Sequence, residues 1–335
     1  MNSQRDRVLS GIQPTMDSFH VGNWFGALTQ WVDLQATHDC FYCVVDLHAL
    51  TVNHDPAAIK QRTLASFAQL IAIGIDPAKS TVFVQSHLAE HSQLAWVLSC
   101  ITGFGEASRM TQFKDKSQKE GADRSTVGLF TYPILQAADI LLYQPKYVPV
   151  GDDQRQHLEL TRDLAQRFNS TYGQTFTLPE TMTVVGNSRV LDLQDPTAKM
   201  SKSSPTGAVF IMDSNDQITK KIKSAVTDSD REVTYDPTAK PGIANLVGLL
   251  AAATNQGIEA TAASVAGLGY GAFKQQVADA LVAVIDPVRT RTQELLSDPA
   301  ALQQQIEHGA TKARAVAAAT VNTAYNRLGL LPERA

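Results

Sequence analysis

Two short stretches, far apart in the chain, carry side chains suited to gripping phosphate. His20-Val21-Gly22-Asn23 sets an imidazole and a carboxamide around a glycine, and Lys199-Met200-Ser201-Lys202-Ser203 offers two ammonium groups and two hydroxyls. All of these groups donate hydrogen bonds to oxygen, and the lysines add positive charge. A glycine at position 22 removes the side chain that would hold a nucleotide away from the backbone. Lysines aimed at a departing pyrophosphate stabilise charge that grows in the transition state. The usual phosphate loops are missing: the chain contains no GxxxxGK[ST] run and no kinase signature. Gly267-Leu268-Gly269-Tyr270-Gly271-Ala272 fits a loose glycine-rich pattern, but no apolar strand precedes it, so it reads as a turn between helices.

The elements that must carry these motifs follow strand–helix alternation. Val8 to Ile12 is a short apolar strand ending at Gln13-Pro14, and Trp24, Leu28, Trp31 and Leu34 follow helical spacing. His20 to Asn23 therefore sits where a strand feeds a helix N-terminus, whose free N–H groups and dipole favour an anion. A second strand spans Cys40 to Asp46. Asp55 then caps a helix with Pro56 at its first position and Gly74 as its stop. A strand over Thr81 to Gln85 and a helix over Gln93 to Ile101 continue the pattern, which implies a parallel sheet with right-handed crossovers. Ligand belongs beyond the carboxyl ends of such strands, where strand order reverses.

From Gly103 the alternation breaks into a segment that is helical from Leu129 to Tyr143. A strand at Val148-Pro149-Val150 follows, and Gly151-Asp152-Asp153-Gln154 opens a helix running to Phe168. After Ser204 the texture is alanine-rich and helical, as in Ala278 to Ile285 and Ala310 to Leu328. The fold class expected is α/β. A Rossmann-like parallel-sheet catalytic domain would cover residues 1–204, with a helical insertion at about 103–147, and a mostly helical C-terminal domain would cover 205–335.

Composition narrows the class further. With 335 residues and 44% hydrophobic content, the chain can bury two sizeable cores. No run of 18 apolar residues suggests a membrane span, and Met1 to Arg7 lacks a secretory apolar stretch. Three cysteines cannot close a disulfide set, so a reducing, cytoplasmic setting is expected. Cys40 and Cys43 form a CxxC near His38 and His48, but Phe41, Tyr42, Val44 and Val45 make them core thiols of a strand rather than zinc ligands. The net charge of −4 hides local excess: +3 over residues 199–223 and +2 over 109–124. Such patches suit an RNA held at limited places, with moderate salt dependence.

The paired motifs resemble the HIGH and KMSKS signatures of class I aminoacyl-tRNA synthetases. Further stretches are similar to the bacterial tryptophanyl-tRNA synthetase family and span most of the chain. They include Ser10 to Pro14, Arg109 to Lys114 with Lys116, Ala137 to Tyr143, Val148 to Gly151, Asp153-Gln154 and Gln156-His157. Lys223 to Asp228, Ala239 to Gly242, and Gly269-Tyr270-Gly271 with Lys274 extend the likeness into the helical region. The tyrosine enzymes share only part of it. A tyrosyl-tRNA synthetase, a small nucleotidyltransferase and a non-catalytic synthetase paralogue are the competing readings.

The resemblance implies an ATP-dependent tryptophan–tRNA ligase with ATP as substrate, Mg²⁺ bridging its phosphates, L-tryptophan and tRNA(Trp) as partners, and a homodimer. Gln13, Pro14, Thr15, Gly22 and Asn23 would contact ATP, with His20 beside the phosphates. Gly151, Asp152 and Asp153, with Val190 nearby, would hold the adenosine. Lys199, Met200, Ser201, Lys202 and Ser203 would close over the triphosphate, and Lys116 would approach from the insertion. Asp139 would accept the indole N–H, with Tyr132, His48 and Gln154 lining the amino-acid pocket. Read from the residues alone, Asp139 lies in the apolar run Ile134 to Leu142 and needs partners there; a structural aspartate and a ligand group both satisfy that demand. Two departures stand out. The approach Pro14-Thr15-Met16-Asp17-Ser18-Phe19-His20 is one residue longer than in many members of the family, and Gln136 replaces a common methionine.

Overall fold

A parallel sheet of five strands organises the chain in a computed structural model that describes residues 5–51, 54–110, 126–151, 154–183 and 190–331. The strands are β1 (Arg7–Ile12), β2 (Asp39–Val44), β3 (Thr81–Val84), β4 (Tyr147–Val150) and β5 (Glu180–Thr183), ordered β3-β2-β1-β4-β5. β2 is buried on both faces, which is why Cys40 to Val44 is unbroken by polar alternation. Cys40 and Cys43 are three residues apart on that strand and enter opposite core layers. A spacing that would join two sulfurs in a loop separates them here. β5 is the strand the sequence does not announce, since Glu180-Thr181-Met182-Thr183 holds one large apolar residue.

Strand order reverses between β1 and β4. Their ladder is made at Val8↔Tyr147, and Pro149 lacks the N–H needed to extend it. The two strands part toward their carboxyl ends, and the crevice opens there.

Helices cover both faces. After β1 come α1 (Val21–Asn23), a π turn (Trp24–Leu28) and α2 (Thr29–Leu34), with Leu28, Trp31 and Leu34 buried. A short α3 (Asp46–Ala49) follows β2. α4 (Pro56–Ile73) starts where Asp55 accepts the Ala57 N–H at 3.0 Å and ends at Gly74 with φ 121°. α5 (Glu90–Ile101), α6 (Phe104–Ser108), α7 (Val127–Leu141) and α8 (Arg155–Tyr172) complete the N-terminal half. Leu94, Leu98, Ile134, Leu141, Leu158 and Phe168 pack from three of these helices onto one sheet face.

Beyond residue 204 lie α9 (Asn215–Lys223), α10 (Pro241–Thr254), α11 (Ile258–Val265), α12 (Tyr270–Ser297) and α13 (Pro299–Leu328). Ile222, Ile243, Leu246, Phe273 and Leu281 share a core with Val21, Phe25, Leu193 and Met200. The helix that begins at His20 is thereby built into the helical region. α13 does something different. Its Ala310, Ala313, Ala317 and Ala324 pack in the sheet layer with Leu9 and Phe41, and Thr320 Oγ1 donates to the Leu142 carbonyl at 2.7 Å.

Candidate active site

Between the parted ends of β1 and β4 lies a cavity of about 450 Å³, within the range of small-ligand sites. Apolar Leu9, Val45, Ile140 and Val148 line it, and the polar groups Gln13, Asn23, His48, Tyr132, Asp139 and Gln154 converge on it.

Asp139 marks one end. It sits on α7 among buried Ala137, Ala138, Ile140 and Leu141 and is only 5% exposed. Nε2 of Gln85 and Nδ1 of His91 donate to its Oδ1, each at 2.7 Å, and Nε2 of His48 donates to Oδ2 at 2.7 Å. Burial works to raise this carboxyl, but the charge and hydrogen bond of His48, helped by His91, hold it well below the usual carboxylate range. The result is an ionised acceptor facing an apolar cavity.

A second chain of contacts runs alongside. The His48 ring meets Tyr132 edge-on at 6.2 Å, and Tyr132 Oη lies 3.3 Å from Nε2 of His157. Nδ1 of His157 is 2.9 Å from Oε1 of Gln154, which also accepts from Gln136 Nε2 at 3.2 Å. Burial pushes the Tyr132 hydroxyl up to about 12, so it stays neutral at ordinary pH. The polar Gln136 thus earns its place by fixing the Gln154 amide.

His20 marks the other centre, as the cap of α1. Its N–H donates to Asn23 Oδ1 and its Nδ1 accepts the Asn23 N–H, both at 3.2 Å. A neutral ring then carries its proton on Nε2, as a donor. Burial, followed by the charges of Lys199 and Lys202, pushes His20 down to about 4, so the neutral form holds at pH 7. A side chain on Gly22 would place Cβ 2.9 Å from the His20 ring. Val21 donates to the Val209 carbonyl and Ile211 to the Phe19 carbonyl, both at 2.9 Å. These bonds tie the first motif to the segment that follows the lysine loop.

The lysine loop is anchored from below. Leu191 exchanges hydrogen bonds of 2.8 and 3.0 Å with the Asn245 side chain, and Met200 N–H donates to the Val190 carbonyl at 3.0 Å. Met200 itself is buried in the helical core. Lys199, Ser201, Lys202 and Ser203 are arrayed around this buried pin, and Lys202 Nζ donates to Thr15 Oγ1 at 2.6 Å. Two ammonium groups, hydroxyls and a neutral imidazole donor form an electropositive cluster suited to phosphate oxygens.

Of the expected residues, the structure brings Gln13, Asn23, His48, Tyr132, Asp139, Gly151 and Gln154 to the cavity. Thr15, His20, Gly22, Val190 and the lysine loop gather in the neighbouring cluster, with Pro14 buried beside Thr15. Lys116, Asp152 and Asp153 lie outside the described residues. Gln85 and His91 escaped the sequence reading. Gln85 had a usable signal, being the first residue past β3 at the sheet's ligand edge; His91 had none. One element of the basic patch differs from its charge count. Lys221 turns inward, bonding the Ala208 carbonyl at 2.8 Å and Asp213 at 2.7 Å over the Phe210 ring.

The profile of tRNA synthetases class I (W and Y) matches residues 1–286. The chain belongs to this family. Among its relatives, tryptophan–tRNA ligase 2 of Streptomyces avermitilis is 56% identical over 100% of both chains. The tryptophanyl-tRNA synthetase structure from Mycoplasma pneumoniae superposes with a TM-score of 0.86 at 34% identity, covering 98% of this chain and 99% of that one. The Campylobacter jejuni enzyme, complexed with ADP and tryptophan, gives 0.83 at 36% identity, covering 97% and 100%.

Proposed function

We propose that this synthetase is a tryptophan–tRNA ligase that forms tryptophanyl-adenylate from L-tryptophan and ATP, then charges tRNA(Trp). The observation that carries the reading is the ionised Asp139 in an apolar cavity, with a cationic cluster about His20 nearby. An apolar slot with one buried acceptor suits an indole, which is flat and carries a single N–H. The relative from Campylobacter jejuni, solved in complex with ADP and tryptophan, supports the same pairing of ligands.

In the first step a tryptophan carboxylate oxygen bonds to the α-phosphorus of ATP. The bond from that phosphorus to the bridging oxygen breaks, and pyrophosphate leaves. No protein nucleophile is needed; positioning and charge stabilisation are the enzyme's contribution. Asp139 and Gln154, with His48 and Tyr132, would place the amino acid. Gln13, Thr15, Asn23 and Gly151, with Asp152 and Asp153, would place the nucleotide. His20 Nε2–H and the Lys199 and Lys202 ammonium groups would meet the leaving pyrophosphate, joined by Lys116. In the second step the terminal ribose hydroxyl of tRNA attacks the acyl carbon and AMP departs. Mg²⁺ would travel with the ATP. The donors around His20 are cationic or hydroxyl, suited to phosphate rather than to a divalent cation.

The helical region from 205 onward would receive tRNA, including its anticodon. The exposed side chains of Trp96, Phe104 and Val127 offer apolar surface for a second copy, in keeping with a homodimer. No helix of the described residues is long and apolar enough to cross a membrane; a cytoplasmic enzyme is the reading. The test is ATP–pyrophosphate exchange with each of the twenty amino acids. Exchange with tryptophan alone is expected, and exchange with tyrosine instead would overturn the assignment.

A further inference from the structure

Three donors crowd onto Asp139, and they do so unequally. Gln85 Nε2 and His91 Nδ1 both take Oδ1, whereas His48 Nε2 takes Oδ2. A carboxylate offers about four acceptor positions, two on each oxygen. Oδ1 is therefore filled, and Oδ2 keeps one position open on a group that lines the cavity. His91 is 0% exposed, and its second nitrogen, Nε2, lies 2.8 Å from Tyr143 Oη. Nδ1 faces the carboxylate and Nε2 faces the Tyr143 hydroxyl, so the ring is held between two partners. Gln85 is oriented in the same manner: its Oε1 accepts the Leu47 N–H at 3.0 Å, which turns its amide nitrogen toward Asp139. Gln85, His91 and Tyr143 are all absent from the cavity lining.

We propose that His91, supported by Tyr143 and joined by Gln85, is a positioning residue that determines the indole N–H specificity of this pocket. It fills Oδ1, locks the rotation of the Asp139 carboxyl, and leaves Oδ2 as a single acceptor for the ligand. The inference rests on the tryptophan reading of the same cavity. A site rejects a ligand lacking an N–H because its own buried acceptor is then left unpaired. That penalty requires a carboxylate unable to turn toward another partner. Removing His91 gives Asp139 that freedom, so the ligand's N–H should matter less.

The experiment compares exchange kinetics for tryptophan and for 3-benzothienylalanine, in which sulfur replaces the indole N–H. In His91→Leu, kcat/KM for tryptophan should fall about 10- to 100-fold, the effect of one hydrogen bond to a charged group. The loss should appear in the KM for tryptophan, with the KM for ATP unchanged. The sulfur analogue should be nearly unaffected, so the gap between the two substrates narrows. His91→Asn, whose amide nitrogen can replace Nδ1, should restore most of the gap. Tyr143→Phe removes one oxygen atom and serves as the second variant if His91→Leu fails to fold; it should narrow the gap in the same direction, by less. An equal fall for both substrates, or an unchanged gap in the variants, overturns the positioning role alone. A parent enzyme that does not activate tryptophan overturns the proposed reaction as well.

Discussion

Lys202 reaches Thr15 across 187 residues of sequence, its ammonium donating to the threonine hydroxyl at 2.6 Å. The contact joins the two motif regions directly, and it engages the ammonium that the transition state is expected to use. An ammonium has three N–H donors, so Lys202 can hold Thr15 and a phosphate oxygen together. Lys202→Ala should lower the rate of tryptophan activation by roughly 10²- to 10³-fold, the usual loss for one such donor. Thr15→Val should act on binding, raising the KM for ATP by about 2- to 10-fold through loss of one hydrogen bond. Pyrophosphate-exchange kinetics on both variants check the pair, and an unchanged or lowered KM in Thr15→Val would remove Thr15 from the ATP site.

His20 ties stability to pH. Its folded value of about 4 lies below the ordinary 6.5, so the unfolded chain takes up a proton first as the solution is acidified. The neutral ring contributes stability above pH 6.5 that is lost as the pH falls toward 4. Over this window the urea midpoint of the parent should drop more steeply than that of His20→Gln. Saturating pyrophosphate, by offsetting the charges of Lys199 and Lys202, should narrow the difference only in part, because burial is the larger cause. Parallel curves for parent and variant would remove His20 from the linkage.

The lysines of α9 should separate into two classes. Lys220 and Lys223 are exposed, whereas Lys221 holds the segment at 208–213 that pairs with the first motif. Lys220→Ser with Lys223→Ser should weaken tRNA charging, leave adenylate formation intact, and reduce the salt slope of tRNA binding by about 2. Lys221→Ser should lower both half-reactions. Equal behaviour of the three positions in exchange and charging assays would contradict this division.

α13 is docked by an absence of side chain. A Cβ on Gly309 would lie 1.7 Å from the Val82 carbonyl oxygen, a backbone atom of β3 that cannot rotate away. Gly309→Ala should cost about 1–3 kcal/mol or more, as overpacked sites do. Denaturant unfolding measures it; a midpoint equal to that of the parent would mean the helix does not press on the sheet.

The motifs, and much of the sheet, could be read without coordinates because each depends on short-range chemistry. Alternating strand and helix signals, Asp55-Pro56 at one helix start and Gly74 at its end, and a glycine between two polar residues act within a few positions. The pairing of His20 with Lys199 and Lys202 was visible too, since few functions require both patterns in one chain. Asp139 is legible as a buried charge needing partners; the residues alone leave a structural and a ligand role open, and the family resemblance assigns it the indole N–H.

What the tertiary structure alone decided is which distant groups satisfy one another. Gln85, just past β3, and His91, on α5, complete Asp139, with Tyr143, just past α7, behind His91, and no local pattern specifies a hydrogen bond spanning 54 or 48 residues. Lys221 counts as surface charge in sequence, but Asp213 and the Ala208 carbonyl draw it inward. α13 has the same alanine-rich texture as the rest of the helical half, and only the fit of Gly309 over Val82 places it on the sheet. Propensity and periodicity act along the chain, whereas polar satisfaction and close packing act across space, once the elements have met.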